Sequence, residues 1–197
     1  ASDVYKRQGQ RYYNESTSYH LTGITMQEAN AQAPSVPSFL VTDANGMRKY
    51  GLGMVRPNGM GLRAGIADGY IVQGQTLEEL AGKLGIDATH LKQAAADIGR
   101  FAQTGVDEQF QRGTTTYQRA NGDATWTGPN PSLGPIETAP FYALRLYPGD
   151  IGAATGFETD DQARTLDASG QPVEGLYAVG NDQHSIMGGT YPGPGIT

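Results

Sequence analysis

Glycine and proline are concentrated in the last residues of the chain, directly after a short apolar run. The apolar run is GLYAV (residues 175–179), which is typical of a buried strand. It is followed by Gly180 and Asn181 and then by GGTYPGPGIT (residues 188–197). Glycine lets a flat or charged ligand approach backbone amides closely, so the segment is compatible with a ligand site. An ordinary loop containing several turns would give the same composition.

Three histidines are candidates for acid–base chemistry. His90 lies on a predicted helix and is expected to be solvated, whereas His20 and His184 receive no assigned role. No pair or trio of them has the spacing of zinc ligands, so no metal site is predicted. The chain has no cysteine, which excludes disulfides and thiolate nucleophiles.

Charge and hydropathy exclude two further classes of function. The net charge is −6, and the 14 basic residues are scattered along the chain. A nucleic acid partner is therefore not expected, because phosphate binding needs clustered lysine and arginine. No apolar run approaches the roughly 18 residues that span a bilayer, so there is no clear membrane segment. We expect a cytoplasmic location.

Helical signals are clearest in the middle of the chain. Thr76 and Glu79 form a capping box, which predicts a helix over residues 77–84 that ends at Gly85. Apolar residues at helical spacing predict a second helix over residues 88–103. Residues 1–8 have the composition of a non-native or disordered tail. The composition of other segments predicts a strand at 38–41 closed by a turn at 42–46, mostly loop over 106–139, a strand at 141–147 and a turn at 165–170.

Several motifs together resemble the 3-ketosteroid dehydrogenase-like flavoproteins of the fumarate reductase flavoprotein superfamily. They are GQRYYNESTSYH (9–20), PFYALRLYPGDIGAATG (140–156), GLYAVGN (175–181) and SIMGGTYPGPGIT (185–197). The resemblance covers nearly the whole chain from Gly9 to Thr197. It implies FAD as the cofactor.

The resemblance also implies a fold and a division into domains. We expect an α+β substrate-binding domain over residues 9–150, followed by the C-terminal piece of a Rossmann-like α/β FAD-binding domain over residues 151–197. The phosphate-binding G-x-G-x-x-G motif of such domains is absent. The chain is therefore expected to be a fragment that lacks both ends of the family's FAD-binding domain, and that does not hold FAD by itself.

Site residues follow from the resemblance one position at a time. Tyr191 matches the tyrosine that donates a hydrogen bond to the ketone oxygen of the substrate, and the backbone amide of Gly195 matches the second donor. Tyr19 matches the tyrosine proposed as general base. Gly180, Asn181, Gly193, Gly195 and Ile196 match positions that contact the cofactor, although Asn181 is equally compatible with an ordinary turn after a strand.

The reaction that the resemblance implies is α,β-dehydrogenation of a ketone. The tyrosine base removes a proton next to the carbonyl, and a hydride leaves the neighbouring carbon for flavin N5. Implied partners are a small-molecule ketone, for which a steroid is one candidate, and an external electron acceptor. Two alternatives stay open: a flavin-dependent enoate or fumarate reductase that works in the opposite direction, and a fragment without activity of its own. An H-G-x-N-R segment of dicarboxylate reductases is absent, which favours a neutral ketone.

Overall fold

The computed structural model describes residues 2–150, 152–153 and 155–189, which belong to two compact units. The first unit comprises residues 1–17 and 24–148, and the second comprises 18–23 and 149–197. The described strands are β1 (Ser2–Tyr5), β2 (Ser38–Thr42), β3 (Val72–Gly74), β4 (Phe141–Leu146), β5 (Arg164–Leu166) and β6 (Pro172–Tyr177). The described α-helices are α1 (Tyr19–Gln32), α2 (Ala44–Tyr50), α3 (Leu62–Ala67), α4 (Leu77–Leu84), α5 (Ala88–Thr104) and α6 (Thr116–Ala120).

A four-stranded antiparallel sheet forms the centre of the first unit. Its strand order is β1-β2-β4-β3, so β4 returns from a distant part of the chain to lie between β2 and β3. Val41 of β2 lies opposite Ala143 of β4, and both are fully buried. Small and β-branched residues at this pair let helices pack closely on the sheet. The strands predicted at 38–41 and 141–147 are therefore confirmed, with β4 ending one residue earlier.

Helices α4 and α5 cover this sheet, and their predicted bounds are confirmed within one residue. The Thr76 hydroxyl accepts a hydrogen bond from Glu79 N at 3.1 Å, and Glu79 accepts one in return from Gln75 N at 2.7 Å. Glycines in the left-handed conformation end both helices, at Gly85 and Gly105. The buried face of α5 consists of the residues that the helical spacing indicated: Leu91, Ala94, Ala95, Ile98, Phe101 and Ala102.

The capping box of α4 provides a test of this packing. Replacing Thr76 by alanine leaves the amide of Glu79 without its acceptor, so the free energy of unfolding should fall by about 1 kcal/mol. Thr89→Ala is the matched control, because Thr89 is an exposed threonine inside α5. Urea denaturation of both variants measures the difference. Equal losses would mean that the cap contributes nothing specific.

Two expectations from the sequence are wrong in the first unit. Residues 1–8 are not excluded from the fold, because β1 pairs with β2 and buries Tyr5 completely. The turn expected at 42–46 is the start of α2, since the Asp43 carboxylate accepts from Gly46 N at 2.8 Å and caps the helix. Residues 106–139 are mostly loop as expected, but they include the short helix α6.

The second unit contains a hairpin of β5 and β6, joined by the turn expected at residues 165–170. The carboxylate of Asp167 accepts hydrogen bonds from the Ser169 and Gln171 amides and holds this turn. The strand predicted at 175–179 begins at Pro172 and ends at Tyr177, and the prediction that it is buried is wrong. Every residue of β6 is exposed, because β6 pairs only with the short β5 among the described residues.

The fold class is thus mixed helix and sheet, as predicted. All named strand pairs in the described residues are antiparallel, so the Rossmann-like arrangement of the C-terminal part stays a prediction. Helices α1, α2 and α3 lie in the segment before residue 70, where the sequence indicated only short apolar runs. The described residues contain no helix that is both long and apolar enough to cross a membrane.

Candidate functional site

Tyr19 is the first residue of helix α1 and belongs to the second unit, together with Gly180 and Asn181. Ser18 begins the helix: its hydroxyl accepts from Leu21 N at 3.4 Å, and its carbonyl accepts from Thr22 N at 3.0 Å. The side chain of Tyr19 is half exposed.

The residues just before Tyr19 are held by a buried ionic network of the first unit. The guanidinium of Arg11 donates to Glu15 at 2.6 and 2.7 Å and to Asp107 at 2.8 Å. A second guanidinium, that of Arg112, pairs with Asp3 and donates to Ser16 Oγ at 2.8 Å. The side chains of Arg11, Glu15 and Asp107 are at most 4 % exposed. The segment Asn14–Ser16 is therefore fixed by charge-assisted hydrogen bonds.

Burial and charge act in opposite directions in this network. Burial raises the pKa of Glu15 above its usual value, although the hydrogen bond from Arg11 opposes that shift. Burial would also raise the pKa of Asp107, but the hydrogen bond and charge of Arg11 outweigh it, so that pKa lies below its usual value. Burial raises the pKa of Tyr5 well above the ordinary range for tyrosine, and the Asp3 carboxylate adds to the effect. Arg11 thus compensates the buried Glu15 and Asp107, and Arg112 compensates the buried Asp3.

Sequence analysis missed this network. Two of its members lie in the GQRYYNES segment, where the resemblance drew attention to Tyr19 alone. The one local signal is the pair of opposite charges: Arg11 and Glu15 stand four residues apart. Their partners Asp3, Asp107 and Arg112 are distant in sequence, so spacing alone could not have identified them.

Gly180 and Asn181 form a short helical turn directly after β6 and Ala178. Gly180 has a φ of +62°, a conformation that residues with a side chain rarely adopt. The side-chain amide of Asn181 lies against Gly152, where an added Cβ would be 3.1 Å from Asn181 Nδ2. This amide makes no hydrogen bond within the part of the chain that the structure describes.

The turn is fixed from the opposite side by residues 156–158. Phe157 N donates to Asp182 O at 2.8 Å, and His184 N donates to Phe157 O at 2.9 Å. A Cβ on Gly156 would come within 2.3 Å of Asp182 O, so only glycine permits this approach. The His184 imidazole faces Glu158 at 3.9 Å and keeps no assigned role.

The other predicted site residues, Tyr191, Gly193, Gly195 and Ile196, lie outside the described residues. The joint action of Tyr19 and Tyr191 on one substrate therefore stays a prediction. His90 is half exposed at the start of α5, as its predicted helical position indicated. Among the described residues, no group of histidine, aspartate and glutamate could hold a metal ion.

Comparisons with known proteins bear on the chain as a whole. Its sequence matches the family described as FAD binding domain over residues 1–197. A 4-oxocyclohex-2-ene-1-carboxylate 5-dehydrogenase of Sinomonas cyclohexanicum is 39 % identical over 189 residues, which are 96 % of this chain and 32 % of the relative. A 3-oxosteroid 1-dehydrogenase of Mycolicibacterium smegmatis is 37 % identical over 201 residues, which are 100 % of this chain and 35 % of the relative.

A solved structure agrees with these sequence matches. The crystal structure of 3-ketosteroid delta1-dehydrogenase from Sterolibacterium denitrificans, in complex with 1,4-androstadiene-3,17-dione, is similar with a TM-score of 0.88 and 38 % identity. The similarity covers 100 % of this chain and 35 % of that one. The chain thus spans about a third of the length of the relatives that it matches.

Proposed function

Because this chain belongs to the FAD binding domain family, we propose that the full-length protein is an FAD-dependent dehydrogenase that introduces a carbon–carbon double bond next to a ketone. The observation that carries the proposal is the agreement among the relatives: both dehydrogenases named above act on ring ketones by their names. They match the chain over nearly its whole length. FAD as the cofactor, inferred first from the sequence motifs, agrees with the family.

The two compact units have different roles in this proposal. The first unit, built on the β1–β4 sheet, is the substrate-binding part, and the second unit contributes to the FAD-binding domain in a Rossmann-like arrangement. The described end of the second unit fits a cofactor: Gly180 keeps a side chain away from the turn, and the Asn181 amide has no partner among the described residues. Gly180 and Asn181, with Gly193, Gly195 and Ile196, would hold the flavin.

The chain's own residues activate the substrate. The Tyr191 hydroxyl and the Gly195 amide donate hydrogen bonds to the ketone oxygen, which makes the neighbouring proton acidic because negative charge develops on that oxygen. Tyr19 accepts the proton. An ordinary tyrosine has a pKa near 10, so the base requires an environment that favours the phenolate. The bound flavin supplies the hydride acceptor.

Anaerobic mixing of the full-length flavoprotein with a saturated ketone tests the function. A 3-oxosteroid and 4-oxocyclohexanecarboxylate should each be compared with the corresponding alcohol, which lacks the oxygen that the two donors recognise. We expect the visible flavin absorbance to decrease with the ketone and to stay unchanged with the alcohol. Reaction with an unsaturated ketone and a reductant, but not with the saturated ketone, would instead indicate a reductase.

A further inference from the structure

Arginine and methionine side chains are exposed together on one short stretch of the first unit. Residues 44–67 contain four basic residues and no acidic one, although the whole chain has a net charge of −6. In the same stretch, Met54 is 84 % exposed and Met60 is 67 % exposed. We call Arg48, Met54, Arg56, Met60 and Arg63 the arginine–methionine surface.

Two consecutive tight turns present the methionines. The first turn is closed by a pair of hydrogen bonds between Leu52 and Val55, at 2.9 and 3.1 Å, which leaves Met54 near its tip. The second turn is closed by the hydrogen bond from Arg56 N to Met60 O at 3.0 Å. Tyr70 supports the first turn, because its hydroxyl accepts from Met54 N at 3.1 Å. The methionines are exposed on an ordered frame.

The arginines of this surface are available for an anionic partner. The side chains of Arg56 and Arg63 are exposed and make no hydrogen bond or ion pair within the described part of the chain. Arg48 donates to Asn45 at 3.0 Å and has no carboxylate partner there. The fourth basic residue, Lys49, is paired with Asp123 and is left out of the surface for that reason. The nearest acid that follows in sequence is Asp68, at the end of α3.

We propose that the arginine–methionine surface docks the full-length protein onto an anionic lipid bilayer. Methionine is long, flexible and apolar, so it can enter the boundary between headgroups and acyl chains. Arginine donates several hydrogen bonds to the lipid phosphates, which lie just outside that boundary. The combination of both residue types at neighbouring turns matches the two layers of a bilayer surface.

Two other partners fit this surface less well. A nucleic acid would pair with the arginines, but the methionines would gain no stacking contacts from it. A second copy of the same surface would cover the methionines, but it would bring arginines against arginines. Of these three partners, only the lipid surface satisfies both the charged and the apolar side chains. The proposal is independent of the reaction proposed above.

Co-sedimentation with vesicles tests the proposal on the full-length protein. The protein should bind vesicles that contain phosphatidylserine, bind phosphatidylcholine vesicles more weakly, and lose affinity as salt rises. Arg56→Gln and Arg63→Gln should each lower the partition coefficient about fivefold. Met54→Ser and Met60→Ser should each lower it about tenfold.

Matched controls distinguish binding through this surface from the effect of removing any exposed charge or apolar side chain. Arg7→Gln removes an exposed arginine next to β1, at the opposite edge of the sheet, and Val106→Ser removes an exposed apolar residue after α5. Both controls should bind like the parent protein. The proposal is overturned if the parent fails to bind vesicles, if controls and surface variants lose affinity equally, or if RNA competes fully with the vesicles.

Discussion

Replacing Tyr191 by phenylalanine in the full-length flavoprotein is expected to lower kcat for a ketone substrate by about 10² to 10³. The substitution removes one of two hydrogen-bond donors to the oxygen on which negative charge develops, and it preserves the ring. Rapid-mixing measurement of flavin reduction gives this rate directly. The FAD content should stay at the parent level, because the hydroxyl is proposed to face the substrate.

Tyr117→Phe is the matched control for Tyr191→Phe. Tyr117 is about half exposed on α6 in the first unit, so loss of its hydroxyl should leave the rate unchanged. Tyr19→Phe should also slow flavin reduction, and it should remove the dependence of kcat/KM on the ionisation of the base. A parent-like rate in Tyr191→Phe would exclude Tyr191 from the mechanism.

Replacing Arg11 by methionine is expected to destabilise the first unit by about 3–5 kcal/mol. The substitution introduces an apolar side chain of similar length. It leaves Asp107 buried without its guanidinium and leaves Glu15 with the more distant Arg112, at 3.5 Å. Burying a carboxylate without a compensating charge costs more free energy than the ion pair contributed. Urea denaturation of the full-length protein measures the loss of stability, with the unfolding of the first unit as the signal.

Arg100→Met is the matched control for this prediction. Arg100 also pairs with two carboxylates, Glu108 at 2.8 Å and Asp97 at 3.6 Å, but its side chain is 47 % exposed. Solvent screens exposed pairs, so the loss should be much smaller than the loss in Arg11→Met. Similar losses in both variants would mean that burial does not determine the strength of the network.

The stability of the network should also depend on pH. The pKa of Asp107 is lower in the folded chain than its usual value of 3.8. The corresponding stability is therefore present at neutral pH and is lost as the pH falls below about 4 toward the folded pKa. Arg11→Met removes the cause of this shift, so the difference in stability between the parent and this variant should shrink under acid conditions.

Local signals predicted the parts of the fold that neighbouring residues determine. The capping box at Thr76, the apolar spacing of α5 and the turn at Asp167 each depend on a few residues close in sequence. Helix α2 was missed because Asp43 and Asn45, which are typical of turns, here cap and begin a helix. Strand β1 was missed because its place depends on pairing with Leu40 and Val41, far along the chain.

The candidate site shows the same limit. Tyr19 could be named from its motif, but the ionic network before it joins residues about 100 positions apart, such as Arg112 and Asp3. No periodicity in a single sequence reports such pairs. The exposure of β6 was also unpredictable, because GLYAV has the composition of a buried strand whether or not other strands cover it.

The exposed hairpin of β5 and β6 has a practical consequence for handling the 197-residue chain by itself. Val173, Leu176 and Tyr177 give β6 high strand propensity, and all three side chains are exposed. A strand with an open edge and apolar side chains is a template for pairing with another molecule. Preparations of the isolated chain should therefore self-associate as its concentration rises, and a lysine in place of Leu176 should raise its solubility.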